Sequence, residues 1–400
     1  MTQSKIVILG GGYAGLQAAL ELDSRGYTCT LIDQNPYHEL LPELPYRITE
    51  PELQTCIPFQ SLLKHKHINF HKAKAQKLDF HRRRVILEDG EIEFDYLVLA
   101  LGSETNYFNI PGLAENSLGF ITTSQVDRLN AKVEENLKQA SKLNPESEEY
   151  KLLMTYIVGG GGLTGVEVAG ELLHTLPILA KKYAVNSKDF KIYIIEALDW
   201  LMPSGEEALS KAVTSFFQKK PQVEVILKTA IKEGVPGAVK LADERILKAD
   251  TILWTGGIRA NSFFERPFID AQGQEGKFVL GRGFRIEVDE FMRVKGLERV
   301  YAIGDNALLL DQESGKPMPL NGQLASKEGA IVADYLISDL KGQKPNRKTP
   351  SMDGVLVSLG PCIGGGTLYK PLKTTLPVNI FSRALKKAVE LRYRYLDICR

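Results

Sequence analysis

The stretch Lys5-Ile-Val-Ile-Leu-Gly-Gly-Gly-Tyr-Ala-Gly15 runs a short apolar strand straight into a glycine turn, and Leu16-Gln-Ala-Ala-Leu-Glu-Leu22 continues it with apolar residues at helical spacing. Tyr27-Thr-Cys-Thr-Leu-Ile-Asp33 then reads as a second strand closed by an acid, 21 residues after Gly12. Strand, tight turn, helix and strand make a βαβ unit of the expected length. In the spacing Gly10-x-Gly12-x-x-Gly15, the first glycine permits the turn and the second lets backbone approach a pyrophosphate. The third lets helix and strand pack closely, while the helix start offers unpaired N–H groups to phosphate.

The same grammar returns about 150 residues later. Thr155-Tyr-Ile-Val-Gly-Gly-Gly-Gly-Leu-Thr-Gly165 carries Gly160, Gly162 and Gly165, with Leu163 and Thr164 in the turn, and Lys191-Ile-Tyr-Ile-Ile-Glu196 follows as a strand closed by an acid. Glu196 trails Gly162 by 34 residues, so Pro177 and the polar Asn186-Ser-Lys-Asp189 predict a long or kinked intervening helix. One glycine motif alone is also a common structural turn. Two, each after a strand, before a helix and followed by a strand-end acid, predict two bound dinucleotides, which most economically exchange electrons. Asp33 and Glu196 are the candidate ribose ligands. A carboxylate there accepts from ribose hydroxyls and repels a 2′-phosphate, which favours NADH and leaves NADPH open.

The chain has 400 residues, 50 Lys+Arg against 49 Asp+Glu and a net charge of +1, so two or three domains are expected and nothing global draws it to nucleic acid. Cys29, Cys56, Cys362 and Cys399 are scattered without a CxxC pair, which suggests a reducing compartment and no metal site. No apolar run reaches the roughly 18–20 residues of a spanning helix, and a cleavable leader would destroy the first motif. Polar, strand-like pieces lie around Arg84–Leu87 and Glu91–Leu101, and the segments Ala249–Gly257 and Val300–Asp305 come later in the chain. Helices are predicted over Val126–Leu143 and Gly322–Leu340, with a linker at Lys341–Pro350.

The residues Ile8–Gly15, Asp33–Tyr46 (with His38 and Pro42), Asp95–Gly102, Ser103–Gly112, Gly160–Glu167, Leu253–Gly257 and Tyr301–Asp305 together resemble the two-dinucleotide-binding flavoproteins of the pyridine nucleotide-disulfide reductase superfamily. More narrowly, the chain resembles the type II (non-proton-pumping) NADH:quinone oxidoreductases. The resemblance implies an α/β fold of two Rossmann-like domains, the NAD(P)H-binding one (119–285) inserted in the FAD-binding one (1–118 and 286–345), and a C-terminal membrane or dimer region (346–400). It implies FAD at the first motif, with Tyr13 and Ala14 in the pyrophosphate turn, Gln34 beside Asp33, Ala75 near the adenine and Pro42 lining the isoalloxazine. Gly102 would end the segment beside the flavin, and Asp305 would reach ribityl or phosphate oxygens. NADH would lie at the second motif, approached by Gly257, and Glu167 would orient the nicotinamide amide or relay a proton. The same acid also suits a helix N-terminus, and Glu171, one turn on, reads as helix surface.

The chain departs from the family at two places. Leu101 stands where the family carries Thr. At Gly322-Gln323-Leu-Ala-Ser-Lys327-Glu-Gly329, Gln323 matches the helix start near the flavin where quinone docks, and Lys327 replaces a second Gln. Lys327 either places a positive charge near a quinone or turns to solvent. In Ile380–Arg400, apolar Phe381, Ala384, Leu385, Ala388, Val389, Leu391 and Leu396 recur at helical spacing. Six bases there (Arg383, Lys386, Lys387, Arg392, Arg394, Arg400) outweigh Glu390 and Asp397. This is a basic amphipathic helix suited to an anionic membrane surface, with Tyr393 and Tyr395 at the interface; the alternative is a helix packed on the protein with a solvated basic face.

The expected activity is hydride transfer from NADH to FAD and then two electrons to a membrane quinone, at the cytoplasmic face, by a peripheral homodimer. Three other readings share the fold. A naphthoquinone-specialised reductase of the demethylphylloquinone type would suit Lys327. A sulfide:quinone reductase needs paired cysteines, and only Cys362 is near the required place. A non-enzymatic NADH sensor would resemble the apoptosis-inducing-factor branch. His65, His67, His71 and His81 lie in a basic, exposed region, His174 on an amphipathic helix, and His38 near the flavin segment in a packing role.

Overall fold

The computed structural model describes residues 4–311, 314–370 and 373–398. Its first layer is a parallel sheet in the order Val300–Ala302, Tyr96–Leu99, Ile6–Leu9, Cys29–Asp33, Ile68–Lys72. All four residues of Ile6–Leu9 are buried, as a parallel strand covered on both faces requires. Alternation sends Ile6, Ile8 and Val98 toward the helices Tyr13–Ser24 and Gly322–Leu340. Val7, Leu9, Leu97 and Leu99 face an antiparallel sheet built from Ala75–Asp79, Arg84–Leu87 and Gly90–Glu93, joined by Phe268–Ile269 and Glu275–Gly276.

The architecture then repeats. A second parallel sheet runs Leu118–Gly119, Thr251–Trp254, Thr155–Gly159, Lys191–Ile195, Val223–Ile226. Helices Thr123–Ala140, Leu163–Lys182 and Glu207–Gln218 cover one face. A three-stranded antiparallel sheet, Ile231–Val235, Ala238–Leu241 and Ile246–Lys248, covers the other. In both sheets the strand before the glycine turn is central and the next strand in the chain lies beside it, but the outer strand comes last in the chain in the first sheet (Val300–Ala302) and first in the second (Leu118–Gly119). After Trp254 the chain returns to the first half, where Ile258–Ala260 pairs with Ser103–Thr105. Helix Leu163–Lys182 spans 20 residues with Pro177 inside it, which accounts for the late arrival of Glu196. A short helix, Glu148–Leu153, follows Pro145. The Ser147 hydroxyl caps it by accepting from the Tyr150 amide, with Glu148 and Glu149 in its first turn.

The C-terminal unit is more than a helix. Strands Gly354–Ser358, Gly364–Leu368 and Thr374–Asn379 form an antiparallel sheet ahead of helix Ile380–Arg392 and a π turn, Tyr393–Asp397. Its middle strand opens Gly364-Gly-Gly, a weak strand former by propensity. A Cβ on Gly364 would stand 2.6 Å from the Val357 carbonyl oxygen and 2.9 Å from the Arg383 Cα, so only glycine lets the helix lie this flat on the sheet. Among the described residues, no helix is long and apolar enough to cross a membrane.

Candidate active site

The two glycine turns are built alike. Gly10 and Gly160 hold φ of +109° and +103°, and a Cβ on either would strike backbone at 2.2 Å (Ala100 O) or 2.3 Å (Gly256 Cα). A Cβ on Gly12 or Gly162, by contrast, would meet nothing within 4 Å, so each turn opens a backbone-floored cradle. The helices beginning at Thr123, Gly322 and Ile380 are capped by the side chains of Thr122, Asn321 and Asn379. Those following Gly12 and Gly162 have no side-chain cap, and their first N–H groups are left for an anion. Asp33 accepts from the Gly11 amide at 2.7 Å and the Asn35 amide at 2.8 Å. Glu196 accepts from the Gly161 amide at 2.9 Å and the Leu198 amide at 3.0 Å. Each strand-end acid is thereby fixed at the lip of its turn, and burial pushes the Asp33 carboxyl upward. The residues of both turns fit dinucleotides.

Asp305 lies beside the first turn, in a crevice with Arg285, Gly304, Asn321, Ala325 and Glu328. The Ser103 hydroxyl donates to Asp305 at 2.8 Å, and burial raises the Asp305 carboxyl above its ordinary range. The Gly102 amide donates at 3.0 Å to the fully buried Asn306, whose side chain donates in turn to the Leu99 carbonyl at 3.1 Å. Glu328 accepts from the Gly304 amide at 2.6 Å, and burial pushes its carboxyl up to about 8. Of the remaining expected residues, Ala75 is buried on its strand, while Gln34 and Pro42 are exposed. Gly257 accepts from the Asn106 amide at 3.0 Å. Leu101, where the family carries Thr, packs with the apolar cluster beneath the sheet.

Gln323 and Lys327 both face the segment that enters the C-terminal unit. The Asp353 amide donates to Gln323 at 2.8 Å, and the Lys327 ammonium donates to the Ser351 carbonyl and pairs with Asp353 at 2.8 Å. Lys327 is therefore neither a free charge nor simply turned to solvent.

A buried polar junction that the sequence reading missed lies where three units meet. Glu167 accepts from the Ser358 amide at 3.0 Å and pairs with Lys386. Lys386 lies 3.7 Å from Glu390, which accepts from the Tyr46 hydroxyl at 2.7 Å. The Arg383 guanidinium stacks 4.4 Å over the Tyr46 ring. Glu171, expected on the helix surface, is buried: it accepts from Thr49 and, at 3.3 Å, from the Ser358 hydroxyl, and burial raises its carboxyl to about 7. Arg383 Nε and Glu390 Oε2 are buried without a hydrogen-bond partner. A signal existed in the sequence, since Arg383, Lys386 and Glu390 share one helical stripe.

That stripe overturns the alternative of a helix packed on the protein with a solvated basic face, and it turns part of the expected basic face inward. Ser382, Arg383, Lys386 and Glu390 are buried, whereas Phe381 (79% exposed), Ile380, Leu385, Val389 and Leu391 face outward with Tyr395 and Leu396. Arg394 also turns in, onto Glu43 at 2.7 Å. Tyr393 is half-buried, stacked on Tyr13. Lys387 and Arg392 remain nearest the outer face, and Arg400 lies outside the described residues. His38 is fully buried, Cys362 is exposed, and Cys29 lies in the core.

The model of the pyridine nucleotide-disulphide oxidoreductase family matches residues 4–329. The type II NADH:quinone oxidoreductase of Staphylococcus saprophyticus is 30% identical over 379 residues, covering 92% of this chain and 90% of that protein. Its Staphylococcus aureus counterpart is 28% identical over 382 residues, covering 92% and 91%. Among solved structures, NDH2 from Plasmodium falciparum in complex with NADH superposes with a TM-score of 0.85 at 19% identity, over 100% of this chain and 96% of that one. The sulfide:quinone oxidoreductase of Aquifex aeolicus gives 0.79 at 19% identity, over 99% and 91%.

Proposed function

Because the chain belongs to the pyridine nucleotide-disulphide oxidoreductase family, and within it to the type II NADH:quinone oxidoreductases, we propose that it carries electrons from NADH through one FAD to a membrane quinone. The observation that carries this reading is the pair of uncapped, glycine-floored helix starts, each with a carboxylate fixed at its lip. FAD held at the first turn would supply the two-electron redox chemistry between NADH and the quinone.

The chain's own residues then bind, orient and supply protons. Asp33 and Glu196 present oxygens to ribose hydroxyls; Glu196 disfavours a 2′-phosphate and so selects NADH over NADPH. Asp305, steadied by Ser103, would hold ribityl or phosphate oxygens, and Gly102 and Asn306 fix the segment that would lie beside the flavin. Glu167 stands two residues beyond the second motif and is neutralised by Lys386, so it orients groups at the donor–acceptor junction. Reducing a quinone to its hydroquinone consumes protons. Glu171, poised near neutrality and linked through Ser358 to Glu167, is suited to deliver one. Gln323 marks the acceptor side, and Lys327 pins the incoming segment through Asp353. In this reading the NAD(P)H-binding half is inserted over 119–285 between the two parts of the FAD-binding half.

The outward apolar face of helix Ile380–Arg392 seats the protein peripherally on the bilayer, with Lys387 and Arg392 at the rim, next to the buried junction where quinone is reduced. The test is anaerobic stopped-flow absorbance of the purified protein. NADH should bleach the flavin rapidly, NADPH much more slowly, and a short-chain quinone should restore it. Bleaching by sulfide alone would replace this reading with sulfide oxidation. A reduced state that no quinone discharges would replace it with NADH sensing.

A further inference from the structure

The C-terminal tail reaches back across the molecule to the first glycine turn. The Tyr393 ring stacks on that of Tyr13 with centroids 4.7 Å apart and planes 19° from parallel. The Tyr13 ring also lies against the start of helix Gly322–Leu340, where a Cβ on Gly322 would stand 3.1 Å from it. His38, fully buried, contacts the Gly11 carbonyl through Nδ1 at 3.0 Å and the Tyr393 hydroxyl through Nε2 at 3.1 Å. In the neutral ring, Nδ1–H donates to Gly11 and Nε2 accepts from Tyr393. Burial lowers the His38 pKa to about 4, which keeps that ring neutral. Arg394, the next residue, donates to buried Glu43 at 2.7 Å and to the Gln54 carbonyl at 2.6 Å, and Ile398 is buried in the core of the first sheet. Gly11 is therefore held from both sides, its N–H by Asp33 and its carbonyl by the His38–Tyr393 pair.

We propose that the C-terminal tail is a latch on the flavin-side turn, with Tyr393 as the positioning residue that holds Gly11–Tyr13 in phosphate-binding geometry; this rests on the reading of that turn as the FAD site. The ring and hydroxyl of Tyr393 engage Tyr13 and His38. Tyr393 acts through them by removing conformations that the turn would otherwise sample, and a preorganised turn releases its ligand more slowly. Because Tyr393 directly follows the helix whose apolar face points outward, the latch links flavin retention to the seating of the C-terminal unit.

The experiment follows FAD release from the purified holoenzyme by the rise in free-flavin fluorescence after dilution. Tyr393→Leu keeps apolar volume but removes both the stack and the hydrogen bond, and should speed release about tenfold. Tyr393→Phe keeps the stack and should fall between the two. Release from Tyr393→Leu at the wild-type rate would overturn the latch. So would a lowered melting temperature with no change in release, which would leave Tyr393 a packing residue only. Purification of the wild type without flavin would overturn the FAD reading itself, and the latch with it.

Discussion

Glu167 and Lys386 meet with side chains 4% and 7% exposed, and neither is supported by solvent. Such a pair gains little over two well-packed apolar residues, but removing one partner strands the other charge in a low-dielectric interior, typically at about 3–5 kcal/mol. Lys386→Met should therefore lower the stability measured by denaturant unfolding by about that much, and adding Glu167→Gln should recover most of the loss. Strictly additive losses would show that the two side chains are not coupled. Of these residues, the sequence singled out Glu167 by its distance from Gly165. It placed Lys386 on an outer basic face, because a helical stripe read from sequence has a period but no inside.

At the scale of the element, helix Ile380–Arg392 is inside out by ordinary standards, with polar residues against the protein and Phe381, Leu385 and Val389 toward solvent. Its amphipathicity was legible; its orientation was not. The partners of Arg383, Lys386 and Glu390 are Tyr46 and Glu167, some 220 to 340 residues away in the chain. With only Lys387 and Arg392 near the outer face, membrane seating should be driven by apolar burial, about 1.5–3 kcal/mol for a fully buried large side chain. Phe381→Asp should thus weaken liposome binding roughly tenfold or more. Binding by the wild type should persist on neutral lipid and at high ionic strength, where surface charge is screened. Co-sedimentation with vesicles checks both, and binding that disappears in salt while Phe381→Asp still binds would restore the basic-surface reading.

Across the whole molecule, two parallel sheets, each with helices on one face and a mainly antiparallel sheet on the other, bury carboxyls against the elements that cover them. Those carboxyls set a pH dependence. Glu328, raised by burial from 4.5 to about 8, holds a proton in the folded state that the unfolded chain releases, so stability should fall as pH rises through that interval and level off above it. Glu171, raised to about 7, adds a contribution of the same sign. In Glu328→Gln the slope between pH 4.5 and 8 should flatten, measured as the melting temperature of the apoprotein across that range. An unchanged slope would mean that Glu328 is ionised in its crevice.

The sequence by itself determined the two glycine turns, their strand-end acids and hence the α/β fold, because each βαβ unit is local. Strand, turn, helix and acid follow one another within a few dozen residues, and their spacing carries the geometry. Only the tertiary structure decided which face of the last helix looks inward, that Glu171 is buried, that Lys327 is neutralised by Asp353, and that Tyr393 closes on Tyr13. Each of these depends on contacts between segments distant in sequence, and periodicity within one segment cannot say what another segment will cover.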